Sequence, residues 1–158
     1  MEAFELTTQG GATGFARLIS ACESFRPYCL IGGLAVNCYV EPVYTLDADL
    51  VVIASSLPEL TATVDASAAG SELRIQFTTD ERHQSFPARS VDADVLGVRV
   101  KVACREDVTQ GKLWAYTDPE RRLSKRKKDE LDLIRLAEAY PELKSLYPRE
   151  LRDQLDKG

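Results

Sequence analysis

The sequence predicts an α+β fold: a mixed β-sheet with helices on one side and a helical C-terminal region. Three observations carry that expectation. Residues 28–53 place two short apolar runs, Tyr28-Cys29-Leu30-Ile31 and Leu50-Val51-Val52-Ile53, around a glycine pair, a small-residue stretch and a proline turn. Residues 72–77 alternate apolar and polar side chains, and so do residues 90–96 and 98–103 on either side of Gly97. Such alternation marks half-buried strands, the last two forming a hairpin. From Arg105 onward the apolar spacing becomes helical. At 158 residues the chain fits one domain, with its core over 28–103 and a helical C-terminal part over 104–158.

Taken in order, residues 13–25 carry apolar side chains at 15, 18, 19 and 22, a helical stripe with Thr13 as N-cap and Pro27 beyond its end. The central unit follows as strand, glycine turn at Gly32-Gly33, short helix over 34–40, turn around Pro42, and a second strand opened by Asp47-Ala48-Asp49. Residues 57–69 read as a helix with Pro58 in its first turn, stopped at Gly70-Ser71. Residues 78–88, polar and containing Pro87, read as a loop. A helix over 105–116 ends before Asp118-Pro119, Ser124 caps a long helix over 125–139 whose buried side is marked by Leu131, Ile134 and Leu136, and a short last helix covers 148–154.

Composition excludes several classes. The apolar and charged fractions, 44% and 28%, are those of a globular protein, and no stretch approaches the ~20 apolar residues of a membrane span. The acidic N-terminal segment lacks the basic-plus-apolar form of a secretory signal. Four cysteines without a C-x-x-C pairing read as reduced core residues of a cytoplasmic protein, and a lone histidine, His83, argues against a histidine-based metal site or triad. A net charge of −5 argues against a general nucleic-acid coat. Yet Arg121, Arg122, Lys125, Arg126, Lys127 and Lys128 form a basic cluster, either a solvated helix face or a landing site for a triphosphate or an RNA backbone.

The chemistry concentrates at Asp47 and Asp49. Residues two apart on a strand share a face, so the two carboxylates point together and repel unless a cation sits between them. Mg²⁺ typically takes one or two protein carboxylates plus substrate phosphates. Gly32 and Gly33 let backbone N–H groups approach a phosphate, with a helix N-terminus behind them. Alone, a glycine pair is usually a turn and D-x-D a solvated strand end; together in one strand–helix–strand unit they suggest chemistry on a nucleoside triphosphate.

The run Gly32-Gly33-x-Ala35, then Thr45-x-Asp47-x-Asp49 and two apolar residues, resembles nucleotidyltransferases of the polymerase-β type in their minimal bacterial branch. Gly111-Lys112-Leu113-Trp114-Ala115, with residues 125–133, is similar to the AbiEii-type enzymes, several of which act as toxins of toxin–antitoxin pairs. The resemblance spans residues 28–140 and implies a nucleotidyltransferase fold. It further implies Mg²⁺-dependent transfer of a nucleoside monophosphate from an NTP to a hydroxyl acceptor, which could be RNA or a tRNA end, with a cognate antitoxin as partner. Asp47 and Asp49 would hold the metal, and Asp129, more than Asp132, would act as base or orienter of the nucleophile. Gly32, Gly33, Lys112 and Lys125 would bind the nucleotide. Three departures stand against it: Gln76 where a third metal carboxylate is common, Gly33 in place of a serine, and Val43 or Tyr44 where an arginine is frequent. Asp92 and Asp94 either imitate the missing ligand or are edge-strand charges. The competing reading is a catalytically idle nucleotidyltransferase-fold domain that binds nucleotide or protein.

Overall fold

The computed structural model describes residues 14–67 and 73–158. Thr13, the expected stop at Gly70-Ser71 and the expected strand start at Glu72 lie outside the described residues.

Helix α1 (14–24) sets Phe15, Leu18, Ile19 and Cys22 into the core, the stripe its spacing requires. Strand β1 (Tyr28–Ile31) follows, then α2 (Gly32–Val36), β2 (Asp47–Val52), α3 (Leu57–Ser67), β3 (Arg74–Thr78), the hairpin β4 (Val91–Val95) and β5 (Val98–Val102), and helices α4 (Arg105–Thr117), α5 (Leu123–Ala139) and α6 (Arg149–Lys157). The sheet order is β3-β2-β1-β5-β4. β1 runs antiparallel to β2 and parallel to β5, β2 runs parallel to β3, and β4 and β5 are antiparallel, so the sheet is mixed as expected.

Burial along the central strands explains where the site can open. Tyr28, Cys29 and Leu30 are buried in succession, as are Leu50, Val51 and Val52, so both faces of the sheet are covered there. At the head of β2 the pattern changes: Ala48 is fully buried while Asp47 and Asp49 on the other face are not. That face is the open one. At the far edge, Asp92 pairs with Lys101 (2.7 Å) and Asp94 with Arg99 (3.7 Å) across the β4–β5 ladder, so these are edge-strand charges.

Several boundaries differ from the sequence reading. α2 closes after five residues, because the chain must return through residues 37–46 to start β2 antiparallel to β1. The 78–88 segment contains two short 3₁₀ turns, Glu81–His83 and Pro87–Arg89; the second is tied to α4 by Arg89, which donates to both oxygens of Asp107 (2.9 and 3.0 Å). α5 begins at Leu123 with Arg122 at the N-cap, so Ser124 lies inside the helix. Leu131 is 53% exposed, whereas Leu133, Leu136 and Ala137 make the buried stripe. All four cysteines are free; Cys22 and Cys29 are buried, which pushes their thiols up to about 12.

Candidate active site

The β1–α2 junction, the head of β2, the face of β3 and the facing sides of α4 and α5 enclose one cleft of about 640 Å³. Asp47, Asp49, Asp129, Gly32, Gly33, Lys112 and Lys125 all line it.

Asp49 stands at its centre. Its strand lies between β1 and β3, with Ile31 and Gln76 as register neighbours. Burial raises the Asp49 carboxyl above its ordinary range; Lys112 opposes that, Asp47 adds to it, and Arg121 and Lys125 pull it back. Gly32, at φ +74°, lies so close that a Cβ there would overlap the Asp49 carboxylate. Only glycine meets both the backbone and the steric demand. Gly33 is under no such constraint: a Cβ would sit 3.6 Å from Thr45 Oγ1 in ordinary contact. With only five residues of helix behind the glycines, what Gly32 contributes is room for the carboxylate more than a helix dipole.

Asp47 is more exposed, and its Oδ1 lies 3.3 Å from Arg74 Nε on β3. The loop that delivers it is clamped: the Asn37 side chain donates to the Val43 carbonyl (2.7 Å) and accepts from the Val43 N–H (3.0 Å), and Arg135 donates to the Glu41 carbonyl. Thr45 Oγ1 accepts from the Asp47 N–H (3.3 Å).

The opposite wall is a buried ion-pair network between α4 and α5. Lys112 Nζ reaches Asp129 Oδ1 (3.2 Å) and Asp132 Oδ2 (3.0 Å). Arg121 Nε donates to Asp129 Oδ2 (2.5 Å) and its Nη2 to Oδ1 (3.3 Å), while Arg135 Nη1 donates to Asp132 Oδ1 (3.0 Å). Asp129 is 1% exposed and both its oxygens are taken by cations. That arrangement suits an orienter of Lys112 and Arg121 and leaves no free face for a general base.

Helical spacing sorts the basic cluster. Lys125 and Lys128 line the cleft with Asp129, Asp132 and Arg135, whereas Lys127 turns to Glu130 (3.3 Å). Neither Lys125 nor Lys128 has an ion-pair partner among the described residues. The remaining wall is aromatic: His83 contacts Phe86 and Trp114, and burial lowers its pKa. Arg121's pairing, Arg74 and this wall had no sequence signal beyond residue type, because each depends on elements brought together only by folding.

Among the described residues no group of three or more His, Cys, Asp or Glu side chains could hold a metal ion. What the cleft offers is the pair Asp47 and Asp49, hard oxygen donors whose mutual repulsion and burial a cation would relieve. Gln76, in register beside Asp49, adds a neutral amide.

The architecture is that of the nucleotidyltransferase fold. The chain is similar to the solution structure of the antibiotic-resistance factor ANT(2'')-Ia, at 15% identity and a TM-score of 0.59, with 92% of this chain and 91% of that one covered. It is also similar to the crystal structure of an antigenic nucleotidyltransferase-like protein from Paracoccidioides brasiliensis, at 19% identity and a TM-score of 0.52, covering 94% and 93% of the two chains. No protein-family model matches the sequence, and a search of curated proteins finds no match.

Proposed function

We propose that the protein is a nucleotidyltransferase that moves a nucleoside monophosphate from an NTP to a hydroxyl acceptor. The observation that carries this reading is the shared cleft: Asp47 and Asp49 on one wall, with Asp49 beside Gly32, and Lys112, Lys125 and Lys128 on the wall across from them. Asp47 and Asp49 would hold Mg²⁺, which when bound neutralises phosphate oxygens and orients the leaving group. Lys125 and Lys128 supply uncommitted positive charge for the phosphate tail. Asp129 is a positioning residue that fixes Lys112 and Arg121 at the cleft wall. An RNA acceptor and an antitoxin partner, as in AbiEii-type proteins, rest on the motif around Lys112 and on the basic cluster. Among the described residues no helix is long and apolar enough to cross a membrane.

A second reading, a nucleotide-binding domain without transfer activity, is favoured by Gln76 beside Asp49 and by the Arg74 pair that partly neutralises Asp47. Thermal unfolding with each NTP, with and without Mg²⁺, tests both. A ligand at 100 times its Kd stabilises by about 2.7 kcal/mol, and Asp47→Asn should abolish the metal-dependent part of the shift. Incubation with labelled NTP and total RNA then separates transfer from binding. No shift with any NTP, with or without Mg²⁺, would refute both readings, and a shift that does not depend on Mg²⁺ would leave only the second.

A further inference from the structure

The wall formed by residues 80–83 and Trp114 is given no part in holding metal or phosphate by the proposed function, yet its charge is pinned. Arg82 Cζ lies 4.8 Å from the centre of the Trp114 ring. Phe86, 2% exposed, lies parallel to the same ring with centroids 5.9 Å apart and 5° between planes. Arg82 and Trp114 line the cleft and Phe86 does not, so the aromatic layers back the guanidinium. Asp80 fixes that guanidinium: its Oδ2 accepts from Arg82 Nε (3.2 Å) and Nη2 (3.0 Å), and its Oδ1 accepts from the Arg82 N–H (3.0 Å). A side chain that would otherwise sample many rotamers is held in one place, with more than half its surface open to the cleft side and solvent.

A tethered guanidinium held over an indole that packs parallel to a buried phenyl ring suits one ligand chemistry: a flat, electron-rich heteroaromatic ring with acceptor atoms on its edge. Four residue steps along β3 and its continuation, at most about 13 Å of extended chain, lead from Gln76 beside Asp49 to Asp80. A nucleotide, or an acceptor ending in one, spans such a distance. The geometry points to Arg82, backed by Trp114 and Phe86, as a stacking platform for a nucleobase. That the base belongs to a nucleotide engaged at Asp47 and Asp49 rests on the proposed function; the platform itself does not.

Trp114 is the chain's only tryptophan, so its emission reports on the platform directly. The protein is titrated with the four common ribonucleosides, with each Mg²⁺–NTP, with Mg²⁺–tripolyphosphate, and with a short single-stranded RNA ending in a normal or an abasic 3′ nucleotide. Base-bearing ligands should change the emission, and Arg82→Ala and Arg82→Lys should each weaken their binding roughly ten-fold, since stacking needs the plane and not the charge alone. A response to NTPs assigns the platform to the donor's base, and a difference between normal and abasic RNA assigns it to the acceptor's. Wild-type affinity in Arg82→Lys, tighter binding in Arg82→Ala, or silence toward every base-bearing ligand would overturn the platform. If tripolyphosphate fails to bind while nucleosides still respond to the Arg82 variants, the proposed function fails and the platform stands.

Discussion

The two adjacent glycines do different work, and single substitutions separate them. Gly32→Ala places a methyl group against the Asp49 carboxylate at a positive φ. The backbone term alone costs roughly 1–2 kcal/mol, and displacement of Asp49 should remove nucleotide-dependent stabilisation, measurable in one thermal-shift series. Gly33→Ser meets only ordinary contact with Thr45 and should fold and bind nucleotide as the parent does. Asp49 carries a second prediction. Burial holds its folded pKa above the unfolded value, so the charged form opposes folding at neutral pH and the penalty fades as pH falls. Asp49→Asn should therefore raise the melting temperature at pH 7 while transfer falls by ~10²-fold or more, the scale set by losses at metal sites. An unchanged or lower melting temperature would contradict the burial argument. At this scale the sequence was informative because Gly32, Asp47 and Asp49 act through local spacing. It was silent on which glycine mattered, since the reason is a carboxylate 17 positions further along the chain.

Among the elements, α5 shows how a charge run becomes a cleft wall. Positions 125, 128, 129, 132 and 135 recur at helical spacing and face one way, so Lys125 and Asp129 could be placed together from periodicity. Their partners could not, because Lys112 arrives from α4 and Arg121 from the turn between the helices. The N-cap differs from the sequence expectation as well: Ser124 offers the right chemistry, but α5 starts one residue before it. The network gives Asp129 a structural role of its own. Removing one partner from a buried ion pair typically costs about 3–5 kcal/mol. Asp129→Ala should lose stability on that scale in urea unfolding and release Arg121, whereas Asp132→Ala, at a more exposed position shared with Arg135, should lose less. Equal losses would show that Asp129 is not the centre of the network.

Across the whole molecule, the fold class was readable because strand alternation and helix periodicity survive folding, whereas the cleft joins segments some 60 residues apart in sequence, from Asp49 to Lys112. His83 illustrates the gap. Its polar neighbours suggest a loop residue, but folding inserts the imidazole between Phe86, Trp114 and the α4 backbone at Gly111, where Nδ1 is buried with no hydrogen-bond partner among the described residues. Burial lowers its pKa below the ordinary 6.5, Asp80 opposes that shift and Arg82 adds to it. Below that value the unfolded chain binds a proton that the folded protein resists, so stability is full above pH 6.5 and declines as pH falls toward the folded pKa. His83→Phe keeps a flat ring in the aromatic wall and removes both the titration and the unpartnered nitrogen. The difference in unfolding free energy between the variant and the parent should therefore shift in the variant's favour as pH falls from 7 to 5, when urea melts are compared at matched ionic strength. A difference that stays flat across that range would mean the imidazole is as free to protonate in the folded protein as in the unfolded chain, and the aromatic wall would then be open to water.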